Sequence, residues 1–289
     1  MILAEEYRRK LMMQKINDVD CGYAIITVNN LEFEGTLTIV RGAFNINKIS
    51  AIYINDVQVP ITPTLTLTPA SYTIRIHYKN LYDCEDMFDD FGIHGTGVTG
   101  TTTIDVSNLD ISHSSSMKRM FGTNIYTILG LETLNTSNIK DMNLAIRMVQ
   151  IYTYDLRSWD VSKVKTLSHF FRLEGVRPYM REHIVMMQGW DVRQVKNVSY
   201  LLGSIHVKEI DLTGWDLSNV EDMSNMFDDN IYLEKVIMDG PVNPSAIVTN
   251  MFGDNNKIGT FYYNPAYDYS HIIAQLPSTW TAVEIETNN

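Results

Sequence analysis

Asp110, Asp160, Asp191 and Asp216 recur at one position of a repeating pattern, with Asn135 in the same slot. A column of carboxylates offers two kinds of chemistry. Stacked side by side, it could hold a row of calcium ions, each taking about six to eight oxygen ligands. Alternatively, each carboxylate accepts hydrogen bonds from backbone amides at a turn or helix end. One acid per copy, without a DxDxDG loop, favours the second reading.

The histidines, at 77, 94, 113, 169, 183, 206 and 271, show no ligand spacing. No phosphate-cradling glycine motif, HExxH pair, nucleophile elbow or CxxC pair occurs. The chain therefore reads as non-enzymatic, with no cofactor, metal or catalytic residue expected. Trp159, Trp190 and Trp215 could stack on sugars, but their fixed place in the pattern favours a buried aromatic column. Tyr179, Tyr262 and Tyr263 lie outside that column and are better placed to meet a partner. Cys21 and Cys84 do not make a disulfide framework, and Cys84 occupies a position that other copies fill with Met, Leu or Val.

These residues are organised by an internal repeat. GWDLSNVEDMSNMF, residues 214–227, recurs in diluted form with Met226-Phe227 as its anchor. The same slot holds Met87-Phe88, Met120-Phe121, Ala145-Ile146, Phe170-Phe171, Leu201-Leu202 and Met251-Phe252, at successive offsets of 33, 25, 25, 31, 25 and 25 residues. A period near 25 predicts a solenoid. Apolar residues at i, i+3, i+6 and i+7 up to the anchor predict a short helix, and Ser218 with Glu221 fits a capping box. Upstream, alternation at Ile104 and Val106, Tyr154 and Leu156, or Ile210 and Leu212 predicts a short strand.

Strand alternation also predicts an outward face. If Ile210 and Leu212 point inward, Asp211 and Thr213 point out, alongside Asp155 and Arg157, Gly130 and Glu132, and Met186 and Gln188. The longer steps carry FGIHGTGVTGTTT and RLEGVRPYMREH, and such insertions emerge on one face of a solenoid. The candidate binding residues are thus Glu132, Asp155, Arg157, Tyr179, Gln188, Asp211 and Thr213.

Residues 1–18 read as an amphipathic helix, either laid on its own domain or docked on a larger assembly. Residues 19–80 carry five or so β-rich stretches, a small sandwich-like domain that covers the first coil. The array spans 81–259, and 260–289 breaks the period as a cap. Net charge of -11 disfavours nucleic acid and anionic membranes. No run reaches the length of a membrane span, and no export signal is seen.

The copies GWDLSNVEDMSNMF, SWDVSKVKTLSHFF and NLDISHSSSMKRMF, with the terminal GTFYYNPAYDYSHIIAQLPSTWTAVEI, resemble the BspA-like leucine-rich repeat family over roughly residues 81–289. Taken with the residue patterns above, this gives an expected α+β chain: a leucine-rich-repeat solenoid of strand, turn and short-helix units, behind a small β-sandwich-like domain and an N-terminal helix. The resemblance further implies a non-catalytic domain displayed on a surface for adhesion or recognition. Its expected setting is a bacteriophage particle, as a fibre, decoration or adhesin-type component. There it would contact other virion proteins through the N-terminal helix and bind a host-surface protein or glycan; self-association is compatible with this. The alternative is a bacterial surface adhesin or protein-interaction module.

Overall fold

The structure is a computed structural model that describes residues 18–29, 31, 35–39, 44–89, 93–94, 101–122, 125, 127–147, 153–172, 184–255 and 257–286. Except for Asp18, the helix expected over residues 1–18 lies outside the described residues, as does Tyr179.

The N-terminal half is built from β1 (Asp20–Asn29), β2 (Gly35–Thr38), β3 (Ile49–Ile54), β4 (Val57–Val59), β5 (Thr64–Leu67), β6 (Tyr72–Lys79), β7 (Ile93–His94), β8 (Thr101–Leu109) and β9 (Thr127–Leu129). One sheet has the order β4-β3-β6-β1-β8-β9, and a second the order β5-β2-β7. Alternation sets the faces: Ala24, Ile26 and Val28 of β1 are buried, as are Ile74, Ile76 and Tyr78 of β6. Their register pairs Ile26 with Ile74 and Ala24 with Ile76. Asn55 and Asp56, at φ 47° and 64°, make the β3–β4 turn, where short polar residues tolerate the left-handed region. Strand β8 joins the two halves, because Ile104 pairs antiparallel with Ile26 on one side and parallel with Ile128 on the other.

Beyond that joint every strand pairing among the described residues is parallel. The strands are β10 (Ile146–Arg147), β11 (Thr153–Asp155), β12 (Phe171–Arg172), β13 (Ile184–Met186), β14 (Glu209–Asp211), β15 (Lys235–Met238), β16 (Gly259–Tyr263) and β17 (Trp280–Glu284). The sole α-helix among the described residues is α1 (Ser270–Ile273), in the terminal cap.

The expected α+β leucine-rich repeat, with a helix in each unit, is therefore incorrect. The array is a β-solenoid whose coils consist of short strands and tight turns. The reason lies in where the backbone hydrogen bonds go. A helix would join each amide to the carbonyl four residues back. Here Met117 N donates instead to Asp141 O (2.9 Å), Leu167 N to Asn197 O (2.9 Å) and Met223 N to Ile247 O (2.7 Å), one coil further on. Single-residue parallel bridges run on through Ser116, Asp141, Thr166, Asn197, Asp222 and Ile247.

The residue before each anchor completes the exclusion. Asp86, Arg119, Leu144, His169, Tyr200, Asn225 and Asn250 all have φ between 51° and 59°, which a right-handed helix cannot accommodate. The apolar spacing of three arises because consecutive tight turns each return a side chain to the core: Met120 N bonds Met117 O, and Met226 N bonds Met223 O. The capping box does not form, since Ser218 Oγ donates to Asp216 Oδ1 (2.6 Å).

Stacked coils share one spine. Met87, Met120, Ala145, Phe170, Leu201, Met226 and Met251 are each at most 1% exposed. Their neighbours continue it, Phe88 lying on Phe121 with centroids 5.5 Å apart and planes at 12°. Two buried asparagines thread the polar backbone inside this core. Asn230 Oδ1 accepts from His206 N (2.7 Å) and Asn230 N donates to Asn255 Oδ1 (2.8 Å); Asn230 Nδ2 donates to Leu202 O, and Asn255 Nδ2 to Phe227 O (2.9 Å). Such groups are tolerated in a core only when bonded. At the far end Trp280 packs on Phe252, and Gly259 lies so close beneath its indole that a Cβ would fall 2.3 Å from it.

Candidate functional site

Each carboxylate of the recurrent column is occupied by the backbone of its own turn. Asp110, Asp160 and Asp216 accept from the amides of Ser112 (2.8 Å), Ser162 (2.9 Å) and Ser218 (3.0 Å), and Asp191 from Arg193 (3.2 Å). Asn135 does the same for Ser137 (3.1 Å). Serine bonds hold the carboxyls of Asp110 and Asp160 below the ordinary range, and the guanidinium of Arg193 does so for Asp191. Among the described residues no three His, Cys, Asp or Glu side chains gather in a way that could hold a metal.

The tryptophans belong to the core: Trp159, Trp190 and Trp215 are at most 3% exposed. Their indole N–H groups donate to Leu131 O, Leu156 O and Met187 O. Both cysteines are free and buried, and burial pushes the Cys84 thiol up to about 12. His77, His113, His169 and His206 each pack against tyrosine rings in separate places. His169 occupies a left-handed turn position, not the helix expected for it.

What remains is the outward face of the strands. Ile210 and Leu212 are buried, Asp211 is half-buried and Thr213 exposed. Strands β13 and β14 fall in separate sheets, and at this break a cleft of about 530 Å³ opens. Ile184, Val185 and Met186 line one side, with Ile184 54% exposed. Gln188 and Asp211 meet across it, Gln188 Nε2 to Asp211 Oδ2 at 3.4 Å. Thr213 N donates to Asp211 Oδ1 (2.9 Å). Burial opposes ionisation of Asp211, but the bonds from Thr213 and Gln188 and the charge of Lys235 outweigh it and leave the carboxyl below its ordinary value.

The sequence-derived candidates thus divide. Gln188 and Asp211 line one cleft, and Thr213 holds Asp211 from the turn. Asp155 is the ladder partner of Met186, and so lies one coil away. Its carboxylate is engaged by Arg157 through Nε (2.9 Å) and Nη2 (2.7 Å). Glu132 is exposed on a 3-10 turn, Leu131–Thr133, apart from the cleft.

Sequence reasoning missed the charged rim. Lys235 Nζ lies 2.7 Å from Glu209 Oε1, and Lys208 Nζ 3.6 Å from Glu234 Oε2. The signal was present as two inverted doublets one coil apart, Lys208-Glu209 and Glu234-Lys235, whose opposite charges meet when strands stack in register. The cleft offers apolar surface, hydroxyl-accepting oxygens and paired charges in an open groove, a binding chemistry.

No helix among the described residues is long and apolar enough to cross a membrane. No curated protein and no solved structure matches the chain. A family model does match, over residues 82–177 and 176–263, which together make up more than half of the sequence. The chain therefore belongs to the family described as Mycoplasma protein of unknown function, DUF285.

Proposed function

We propose that this protein is a non-enzymatic recognition module of the BspA-like kind, displayed on a bacteriophage particle and binding a host-surface protein or glycan through the outward sheet face. The observation that carries the reading is the break between β13 and β14, where exposed Ile184 stands beside Met186, Gln188 and Asp211. Exposed apolar side chains next to convergent polar groups mark contact surfaces, and solenoids present extended faces of this kind.

The experiment is binding of the full chain to host cells and to a glycan array, with Ile184→Glu and Asp211→Ala as variants. Loss of binding in both, with the unfolding midpoint unchanged, supports the reading. Binding that neither change alters would remove the cleft from it.

A second reading, a bacterial surface adhesin, is favoured by the match to a family described from Mycoplasma. Mass spectrometry of purified particles against cell-envelope fractions separates the two. In the particle reading, residues 1–18 attach the protein to other virion components, and deleting them abolishes incorporation without unfolding the solenoid.

A further inference from the structure

A second face of the solenoid carries charge of the opposite sign to the protein as a whole. The position five residues before each anchor holds Ser115, Lys140, Lys165, Lys196 and Glu221 on successive coils. These residues form one backbone ladder: Lys140 N donates to Ser115 O (2.9 Å), Lys165 N to Lys140 O (2.8 Å), Lys196 N to Lys165 O (2.9 Å) and Glu221 N to Lys196 O (2.8 Å). The three lysines are exposed and are held in line by main-chain bonds, so their spacing is that of parallel strands, about 4.8 Å per coil.

The neighbouring column adds to the stripe. Lys163, exposed two residues before Lys165, donates to Asn138 Oδ1 (2.7 Å), and Lys165 donates to Gln194 Oε1 (2.5 Å). Both of these bonded partners are neutral amides, which leave the cationic charge in place. Among the described residues, the ladder lysine paired to a carboxylate is Lys196, with Glu221 at 3.1 Å; the charge of Lys163 acts on Asp160. One more coil back from Ser115, Ser115 N donates to the carbonyl of Tyr82 (3.0 Å), whose ring is 54% exposed and contacts His113.

We infer that this face binds a linear acidic polysaccharide, its carboxylate or sulfate groups lying along Lys140, Lys165 and Lys196. A straight cationic row with flanking amides and serines matches a polymer that presents regular anions among hydroxyl groups. Charge complementarity is provided by a stripe of lysines on a protein of net charge -11. Single-stranded nucleic acid calls for aromatic platforms along the strand, whereas Tyr82 stands at one end only. The inference is independent of the cleft at Asp211.

The test is titration of the full chain with polygalacturonate and with heparin at low and rising salt. Binding should weaken with salt, and the triple variant K140Q/K165Q/K196Q should bind on the order of tenfold more weakly or worse, with its unfolding midpoint unchanged. Asp211→Ala should leave this binding intact. Glu221→Lys releases Lys196 and lengthens the row by one coil, and should tighten binding. Absence of binding to both polymers, or equal binding by parent and triple variant, overturns the inference. So does a lysine-dependent preference for DNA or for phosphatidylglycerol vesicles.

Discussion

The indoles of Trp190 and Trp215 lie stacked with centroids 5.8 Å apart and planes 13° from parallel, although a full coil of chain separates them. Each ring is also tethered at its edge, by bonds to Leu156 O (2.7 Å) and Met187 O (3.2 Å). Trp215→Ala should cost about 3–5 kcal/mol, the range for truncating a buried aromatic. Trp215→Phe keeps the stack and gives up only the indole bond to Met187 O, which still accepts from Trp190 N, and should cost about 0.5–1.5 kcal/mol. Urea unfolding measures both, and an Ala variant no weaker than Phe would show that the stack contributes little.

Asn230 satisfies several buried backbone groups at once. Asn230→Leu, close in volume, should destabilise by about 3 kcal/mol or more, because the His206 amide and the Leu202 carbonyl lose their partner together. The exposed Asn219→Ala, which removes one bond to Arg193 O, should cost less than about 1 kcal/mol. Equal effects would contradict the role given to burial.

Asn225 occupies the left-handed position at φ 55° and accepts from Asn250 Nδ2 (2.8 Å). Asn225→Val places a β-branched residue where it is strained, and should lose about 1–3 kcal/mol. Asn225→Gly gives up the bond but suits the backbone, so it should lie well above the Val variant in melting temperature. Identical melting temperatures would argue against backbone strain at this position.

Acid should weaken the array. Asp110, Asp160 and Asp191 have folded values below the ordinary 3.8. Their contribution is complete above that value and is lost as pH falls through the folded values. Replacing all three by Asn, as Asn135 already does at its turn, keeps the oxygen acceptor and removes the titration. Unfolding from pH 6 to pH 2 should show a shallower acid loss in the triple variant. An unchanged profile would assign acid sensitivity to other groups.

The period and the inward columns were legible in the sequence because each coil buries the same side chains at the same place. Met120, Phe170 and Met226 share the spine that their spacing implied. The turn acids were legible too, since an Asp followed two residues later by Ser is a local signal. The helix was not legible as false. Apolar residues three apart suit a helical face and a run of tight turns equally, and the backbone partner lies a full coil away. One sign was available: the polar Asn225 and Asn250 immediately before their anchors, residues that favour left-handed backbone. The cleft stayed hidden because it depends on the ladder breaking between β13 and β14, within an ordinary 25-residue step, whereas the longer step before it is bridged by the pairing of β11 with β13.

Along the turns that lead up to the anchors, successive coils offer one another the same row of donors on one side and acceptors on the other, even where the strand ladder breaks. A whole coil can therefore be duplicated or excised as a module, with the joint re-forming the bonds it interrupts. The reach of this protein from its β-domain is in that sense set by genetic copy number, and lineages could lengthen or shorten it without redesigning the core.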